Sequence, residues 1–408
     1  MGTRRGTNLP RMGDFNQSVI LEAIRQSATG SSRIELAEAI GLSPQTVTNI
    51  TRRLLDEGLI AEAGRSNITG PGKPRTVLGL VPQSRYSVGV HLDPAVVTVV
   101  LLDLAGTVVG RRTAPIAAQD PHRIVSTMAE SIRAVIGAAG IGPERVAGVG
   151  IAVPGPLDAE RGTVVDPPML PGWKRVPLRE LLAEATGFPV VLEKDTAAGA
   201  VGELWTRRGP SDDSFVFLYL GTGLGAALAR DGDVVRGRTR NLGEIGHIVV
   251  DSDGAPCHCG MRGCVAVMCT PRVIVDEAVR TGVLAAESEA GPSENRFAEL
   301  CDLARAGDPA AEALLRSAAR RTAVLIAALT NMLDVDRVVM GGPFWASVSD
   351  IYLAEIPAHI DRLSATRALR SIPVDGTVVG ADAGAVGAAC VVLDSALTPR
   401  ASDLLIGT

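Results

Sequence analysis

Residues 243–264 read Gly243-Glu244-Ile245-Gly246-His247-Ile248-Val249-Val250-Asp251-Ser252-Asp253-Gly254-Ala255-Pro256-Cys257-His258-Cys259-Gly260-Met261-Arg262-Gly263-Cys264. His247, Cys257, Cys259 and Cys264 fall within 18 residues, and Gly254, Pro256, Gly260 and Gly263 supply the tight turns that let such ligands converge. Three thiolates and one imidazole satisfy a tetrahedral Zn2+ and leave no coordination position open, so the expected zinc is structural and not hydrolytic. His258 is the competing nitrogen ligand, and unligated cysteines are the plain alternative. Loss of the metal is expected to unfold the loop. Cys269, Cys301 and Cys390 sit in apolar contexts and read as core.

Outward from this loop the chain alternates strand-like and helix-like segments. Strands are expected at Ser87–Val90, Val96–Leu104, Thr107–Gly110 and Val146–Val153, with a helix at His122–Ala139. A second pass repeats the order: Phe215–Leu220, Ala226–Arg230 and Val234–Val235 as strands, a long helical pattern at Ala310–Leu333, then the strand Arg337–Met340. The turns Leu104-Ala105-Gly106-Thr107-Val108-Val109 and Arg230-Asp231-Gly232-Asp233-Val234-Val235 are alike. An internal duplication follows, with two α/β lobes enclosing a ligand cleft; the alternative is one continuous sheet.

Residues 1–80 carry ten Lys/Arg against seven Asp/Glu, which leaves thirty against thirty-eight for the rest of a chain of net charge -5. The basic end is the candidate for nucleic acid. Its apolar positions follow helical spacing in three blocks: Val19, Ile20, Ala23 and Ile24; Ile34, Leu36, Ala37 and Ile40; Val47, Ile50 and Leu54. Ser32 with Glu35 has capping-box spacing, and Ser43-Pro44 supplies an N-cap and a proline at the first helical position. The turn Ile40-Gly41-Leu42-Ser43 lets the second and third helices cross steeply, as in a helix-turn-helix. The third helix then turns Gln45, Thr46, Thr48, Asn49, Arg52 and Arg53 outward, side chains able to donate to phosphates or base edges. Gly70-Pro71-Gly72-Lys73-Pro74-Arg75 reads as a wing tip whose cations are Lys73 and Arg75. The alternative is a small helical domain that dimerises through a polar face.

At 46% hydrophobic and 21% charged residues the composition is that of a globular protein with a large core. No apolar stretch reaches the ~20 residues of a membrane helix. Met1–Pro10 lacks the apolar core of a signal peptide. A cytoplasmic location is expected, in which cysteines stay reduced or bind metal.

The glycine–histidine–cysteine segment, together with Val153-Pro154-Gly155-Pro156, Glu193-Lys194-Asp195, Gly221-Thr222-Gly223-Leu224-Gly225 and Gly341-Gly342, resembles the ROK family of repressors and sugar kinases. The resemblance covers nearly the whole chain, the N-terminal winged helix being what the repressor branch carries. It implies an α/β fold class: a winged helix-turn-helix followed by a two-lobed actin-like ATPase (ribonuclease H-like) sugar-kinase-type domain, assembled as a homodimer or homotetramer. It also implies that Asp195, Glu244 and His247 line a sugar site, where in the kinases the aspartate in the place of Asp195 is general base on the sugar hydroxyl.

Three departures cut against catalysis. His91-Leu92-Asp93-Pro94 stands where the family's kinases have a glycine-rich Asp-x-Gly-Gly-Thr turn, and proline has no N–H to offer a phosphate while an added carboxylate repels one. Lys194 replaces the usual asparagine, and Ala266 replaces a glutamate that touches the sugar. These changes favour an anionic effector, a sugar phosphate or sugar acid, paired by Lys194; otherwise Lys194 pairs with Asp195 or Glu193.

The expected organisation is a DNA-binding domain at 1–80, an effector and oligomerisation domain at 81–396 with a zinc loop at 247–264, and a mobile tail at 397–408. The expected function is a non-enzymatic transcriptional regulator, a repressor in carbohydrate metabolism. It would bind a double-stranded palindromic operator under control of a sugar-type effector held by Lys194, Asp195, Glu244 and His247. The alternatives are an ATP-dependent sugar kinase with a DNA-binding appendage and a ligand-independent DNA-binding protein.

Overall fold

In the computed structural model, which describes residues 9–66, 75–116, 119–168, 170–207, 214–286 and 293–397, the N-terminal segment forms α1 (Leu9–Gln26), β1 (Ser31–Ser32), α2 (Arg33–Ile40), α3 (Pro44–Asp56), β2 (Ile60–Ser66) and β3 (Arg75–Leu80). The local signals act as the chemistry requires. Ser32 accepts the Glu35 amide while the Glu35 carboxylate accepts the Ser32 amide at 2.8 Å, which starts α2. Gly41, with φ of 74°, ends that helix in the left-handed conformation, and Ser43 caps α3 with Pro44 at its first position. Val47, Ile50 and Leu54 then pack with Ile20, Ile24 and Leu36. Ile34 was expected inside with them but is 46% exposed, because Leu36 and Ala37 are the residues α2 buries. The strands order β1-β3-β2, a small antiparallel wing sheet. The expected wing tip, Lys73 included, lies outside the described residues.

The remainder is built twice. The first lobe runs β4 (Tyr86–Leu92), β5 (Val96–Asp103), β6 (Val108–Pro115), α4 (Pro121–Ala138) and β7 (Val146–Val153). A small sheet of β8 (Leu157–Asp158), β9 (Thr163–Val165) and β10 (Arg175–Val176) follows, then α5 (Leu178–Thr186), β11 (Val190–Lys194) and α6 (Asp195–Thr206). The second lobe runs β12 (Phe215–Leu220), β13 (Leu224–Arg230), β14 (Asp233–Val235), α7 (Val265–Met268), α8 (Pro271–Arg280), α9 (Ser293–Arg305), α10 (Pro309–Leu333), β15 (Arg337–Gly341), α11 (Trp345–Leu363) and β16 (Val374–Gly376), and α12 (Ala383–Leu397) returns to the first lobe.

The sheets order β11-β7-β4-β5-β6 and β14-β13-β12-β15-β16. Numbered within its own lobe, each runs 3-2-1-4-5, the first three strands antiparallel and the last two parallel to the first. The duplication is therefore topological, and the single continuous sheet is excluded. The two similar glycine turns each close the hairpin between the second and third strands of a lobe.

Period-2 side chains divide each sheet between two cores. Val97, Val99 and Leu101 of β5 face Met128 and Ile132 of α4, while Val100 and Leu102 face the layer made by α6 and α12. In the second lobe Val216, Leu218 and Leu220 face α8 to α11, whereas Phe217 and Tyr219 turn to that same layer. α6 and α12 are thus shared between the lobes. Their approach demands missing side chains: a Cβ at Gly150 would stand 1.9 Å from the Ala388 carbonyl oxygen, and one at Gly387 1.8 Å from that of Ala198.

Gly150→Ala is expected to destabilise the protein by about 3 kcal/mol or more, since backbone would have to move. Gly137→Ala, on α4 where an added Cβ meets nothing within 4 Å, is expected to be neutral or to stabilise by up to about 1 kcal/mol. Urea unfolding of both variants checks the contrast.

Candidate functional site

β11 pairs in parallel with β7 so that Lys194 lies opposite Val153. This register brings the Pro154-Gly155-Pro156 turn beside the start of α6, at the carboxyl ends of the strands where α/β folds bind ligands. Lys194, itself buried, places Nζ 2.7 Å from Glu244 Oε1 and donates to the Leu242 carbonyl at 3.3 Å. A Cβ at Gly155 would lie 3.0 Å from Glu244 Oε1 and 3.5 Å from Lys194 Cε, so glycine leaves that corner open. The charge expected to meet an anionic effector is taken by Glu244. Nor does Lys194 pair with Glu193, whose carboxylate is held by Arg236 at 2.6 Å and Arg240 at 3.3 Å.

Asp195 opens α6 and accepts the Thr196 amide at 2.7 Å. Burial pushes its carboxyl up to about 6, against the opposing pull of the Lys194 charge and the Thr196 amide. Glu244 and Asp93 add to the rise. At neutral pH Asp195 is a carboxylate held near its titration, a good acceptor for a ligand hydroxyl.

Asn241 was not singled out in the sequence. Its Oδ1 accepts the Leu157 amide at 2.7 Å while its Nδ2 donates to the Leu157 carbonyl at 2.8 Å. This two-way amide bond staples the first lobe to the loop that carries Glu244. Arg236, which fixes Glu193, was also missed. Both lie in the polar loop Arg236-Gly237-Arg238-Thr239-Arg240-Asn241, and their partners lie 84 and 43 residues away in the chain, beyond any local pattern.

The metal-type residues converge: ligand atoms of His247, Cys257, Cys259 and Cys264 all lie within 4.8 Å of one another. Cys257 Sγ is 3.5 Å from His247 Nδ1, and Cys259 Sγ is 3.7 Å from Cys264 Sγ. A tetrahedral zinc with its usual bond lengths sets S to S near about 3.8 Å and S to N near about 3.5 Å, so the donor set and its spacing fit that ion. His258 stacks edge-on against His247 with ring centroids 4.9 Å apart, its Nδ1 3.8 Å from Cys257 Sγ. Ala266 donates its amide to Gly246 at 2.9 Å, which sets a methyl group beside the loop of Glu244 and His247.

The His91-to-Pro94 turn is a hairpin that consumes its own polar groups. The Asp93 amide donates to Val96 at 3.1 Å and the Ala95 amide to Asp93 Oδ1 at 3.0 Å. Burial pushes the His91 imidazole down to about 4, so it is neutral, and its Nε2 lies 3.3 Å from the Tyr219 hydroxyl of the other lobe. His91 and Asp93 line a cleft of about 240 Å³ with Arg111, Phe344 and Asp382. Arg111 and Asp382 are ion-paired across it at 2.5 Å.

On α3, Gln45, Asn49 and Arg52 are exposed, and Gln45 donates to Asn49 at 3.1 Å. Thr46 and Thr48 are half-buried, their hydroxyls spent on Ser43 and on the Pro44 carbonyl. Arg53 donates to Gln17 of α1. Arg75 is half-buried at the start of β3, and its charge helps hold the Glu35 carboxyl low after the hydrogen bonds from Ser32. Among the described residues no helix is long and apolar enough to cross a membrane.

A sequence profile of the ROK family matches residues 88–395, and a profile described as winged helix-turn-helix DNA-binding matches residues 17–61. The chain is 26% identical over 332 residues to a xylose repressor of Caldicellulosiruptor bescii, spanning 80% of this chain and 82% of that one. A ROK family transcriptional regulator homologous to the Escherichia coli Mlc protein shares the fold with a TM-score of 0.76 at 24% identity, across 97% of this chain and all of that one. A ROK family glucokinase from Streptomyces griseus, solved with glucose and AMPPNP, superposes with a TM-score of 0.65 at 28% identity, covering 75% of this chain and 98% of that one.

Because the folded state raises the Asp195 carboxyl to about 6, it binds the proton more tightly than the unfolded chain does. Stability therefore falls as pH rises from about 4 through 6. Asp195→Asn removes that loss. Its melting temperature is expected to exceed the wild type's at pH 7.5 and to converge with it toward pH 4.5, as thermal melts across that range would show.

Proposed function

Because the chain belongs to the ROK family, we propose that it is a transcriptional repressor that reads double-stranded operator DNA through α3 and the wing and releases or tightens its grip when a sugar enters the cleft at Asp195. The observation that carries this reading is the fusion of a capped, DNA-type helix pair to a two-lobed domain in which Asp195, at the start of α6, lies beside the Lys194–Glu244 pair that bridges the lobes. Two carboxylates against one buried ammonium suit the hydroxyls of a neutral sugar better than a phosphate, which they would repel. Paired winged helices of a symmetric homodimer or homotetramer would meet successive major grooves of a palindromic site. Gln45, Asn49 and Arg52 serve as base-edge or phosphate donors, with Thr46, Thr48, Arg53, Lys73 and Arg75 as flanking positions.

Zinc on His247, Cys257, Cys259 and Cys264 would supply structure: it ties down the loop whose upstream arm presents Glu244. The role of His247 is then ligation through Nδ1, with its other ring nitrogen left to the cleft. Nucleotide chemistry is disfavoured by the self-satisfied hairpin at Asp93 and Pro94, which has no spare amide for a phosphate and adds a carboxylate. Retention of Asp195 and of the Gly221–Gly225 turn supports the second reading, a sugar kinase. Release of ADP on adding ATP with D-glucose or D-xylose, abolished by Asp195→Ala, would establish it in place of the first.

Genomic fragments retained by the protein at stated salt are expected to share a palindrome. Arg52→Ala is expected to weaken that binding and to lower the slope of log affinity against log salt by about one; an unchanged slope would remove Arg52 from the interface. Zinc is expected at one per chain by atomic emission. Chelation should lower the melting temperature and weaken D-xylose or D-glucose binding in titration calorimetry, and full sugar affinity in the metal-stripped protein would separate the loop from the cleft.

A further inference from the structure

The helix that begins at Asp195 ends beneath the winged helix. α6 is 12 residues long, about 18 Å at 1.5 Å per residue, and its last turn carries Trp205. Over the Trp205 ring, 4.0 Å from its centroid, lies the guanidinium of Arg25 from α1. Arg25 Nη1 also donates to the Trp205 carbonyl at 2.8 Å, and Glu22 holds the other side of the fork at 2.6 and 2.7 Å. Arg25 is 9% exposed, so this cation lies in a buried joint between domains and is not a surface contact. Midway along α1 the helix meets the DNA-reading helix: Gln17 accepts from Arg53 and donates to Glu57 at 3.2 Å.

α6 runs between the lobes, continuing directly from β11 of the first. α6 is tied to the second lobe by Glu203, fully buried, which accepts Thr377 Oγ1 at 2.7 Å and the Val378 amide at 3.1 Å. Thr196 adds to this, packing where a side chain at Gly225 would be. The winged helix is tied to the first lobe by the chain itself and by the Leu104 amide on the Pro82 carbonyl at 2.9 Å. A Cβ at Gly106, in the β5–β6 turn of the first lobe, would stand 2.8 Å from the Trp205 ring, so the joint with Arg25 lies where α6, the first lobe and the winged helix meet.

We propose that Arg25 is the positioning residue that transmits occupancy of the sugar cleft to the DNA-reading helix, by way of α6 and α1. This rests on the repressor reading above, and it names the element whose arrangement both sites bias, as coupling between sites requires. A bond that only docks one domain on another would affect stability and leave the sugar response intact.

The experiment compares wild type, Arg25→Gln and Arg25→Lys for affinity to a genomic fragment selected by the wild type, with and without saturating D-xylose or D-glucose, and for sugar affinity by calorimetry. A wild-type ratio of about tenfold between the two DNA affinities, within the usual range of coupling, should fall below about twofold in Arg25→Gln while sugar affinity stays within about twofold. Arg25→Lys, which keeps a cation over the indole, should recover part of the ratio. A full ratio in Arg25→Gln overturns the proposal, as does a parallel loss of sugar affinity. If Arg25→Gln does not fold, Arg25→Lys decides: a reduced ratio supports the coupling and an unchanged one overturns it. A wild-type ratio of one with every sugar instead overturns the repressor reading, and the coupling with it.

Discussion

The approach of α12 to the first-lobe sheet and of α6 to α12, backbone against backbone, is the constraint on which the rest of the structure depends. Gly150 under Ala388 and Gly387 under Ala198 leave no room for a methyl group. The two helices consequently form one thin layer with a sheet on either side. That layer joins the lobes, sets the width of the cleft between them and gives the chain a core in which residues of both lobes and the winged helix meet. Interiors this dense move as packed units more readily than they deform, so a change at the cleft has few ways to relax except by shifting whole elements.

The cleft's electrostatics follow from where that layer begins. Asp195 is the first residue of α6, and its neighbour Lys194 is the last of β11. A buried lysine next to a buried carboxylate needs a partner, since unpaired charge is costly away from water. The partner is Glu244, reached from the other lobe. Asn241 bonds across the same gap. The lobes are thus joined beside Asp195 by the ion pairs of Lys194 with Glu244 and of Glu193 with Arg236 and Arg240, and by the Asn241 amide.

A transcriptional regulator and a glucokinase of the family share this scaffold. Here the hairpin at Asp93 spends its amides on itself. The winged helix is joined to the scaffold at Trp205 by Arg25.

Much of the protein was legible in its sequence because the signals are local. The capping box at Ser32 and Glu35, the Ser43-Pro44 helix start, the buried side of α3, the hairpin strands of each lobe and the four metal-type ligands all depend on residues close in the chain. Their chemistry is settled by spacing, turn geometry and period. Tertiary structure alone decided the rest. It paired Lys194 with Glu244, Glu193 with Arg236 and Arg25 with Trp205, 180 residues away, and left Ile34 to solvent. A charge or an amide in the sequence declares what it can bond to, but which partner it meets depends on how distant backbones pack, and that packing is set by the whole core at once.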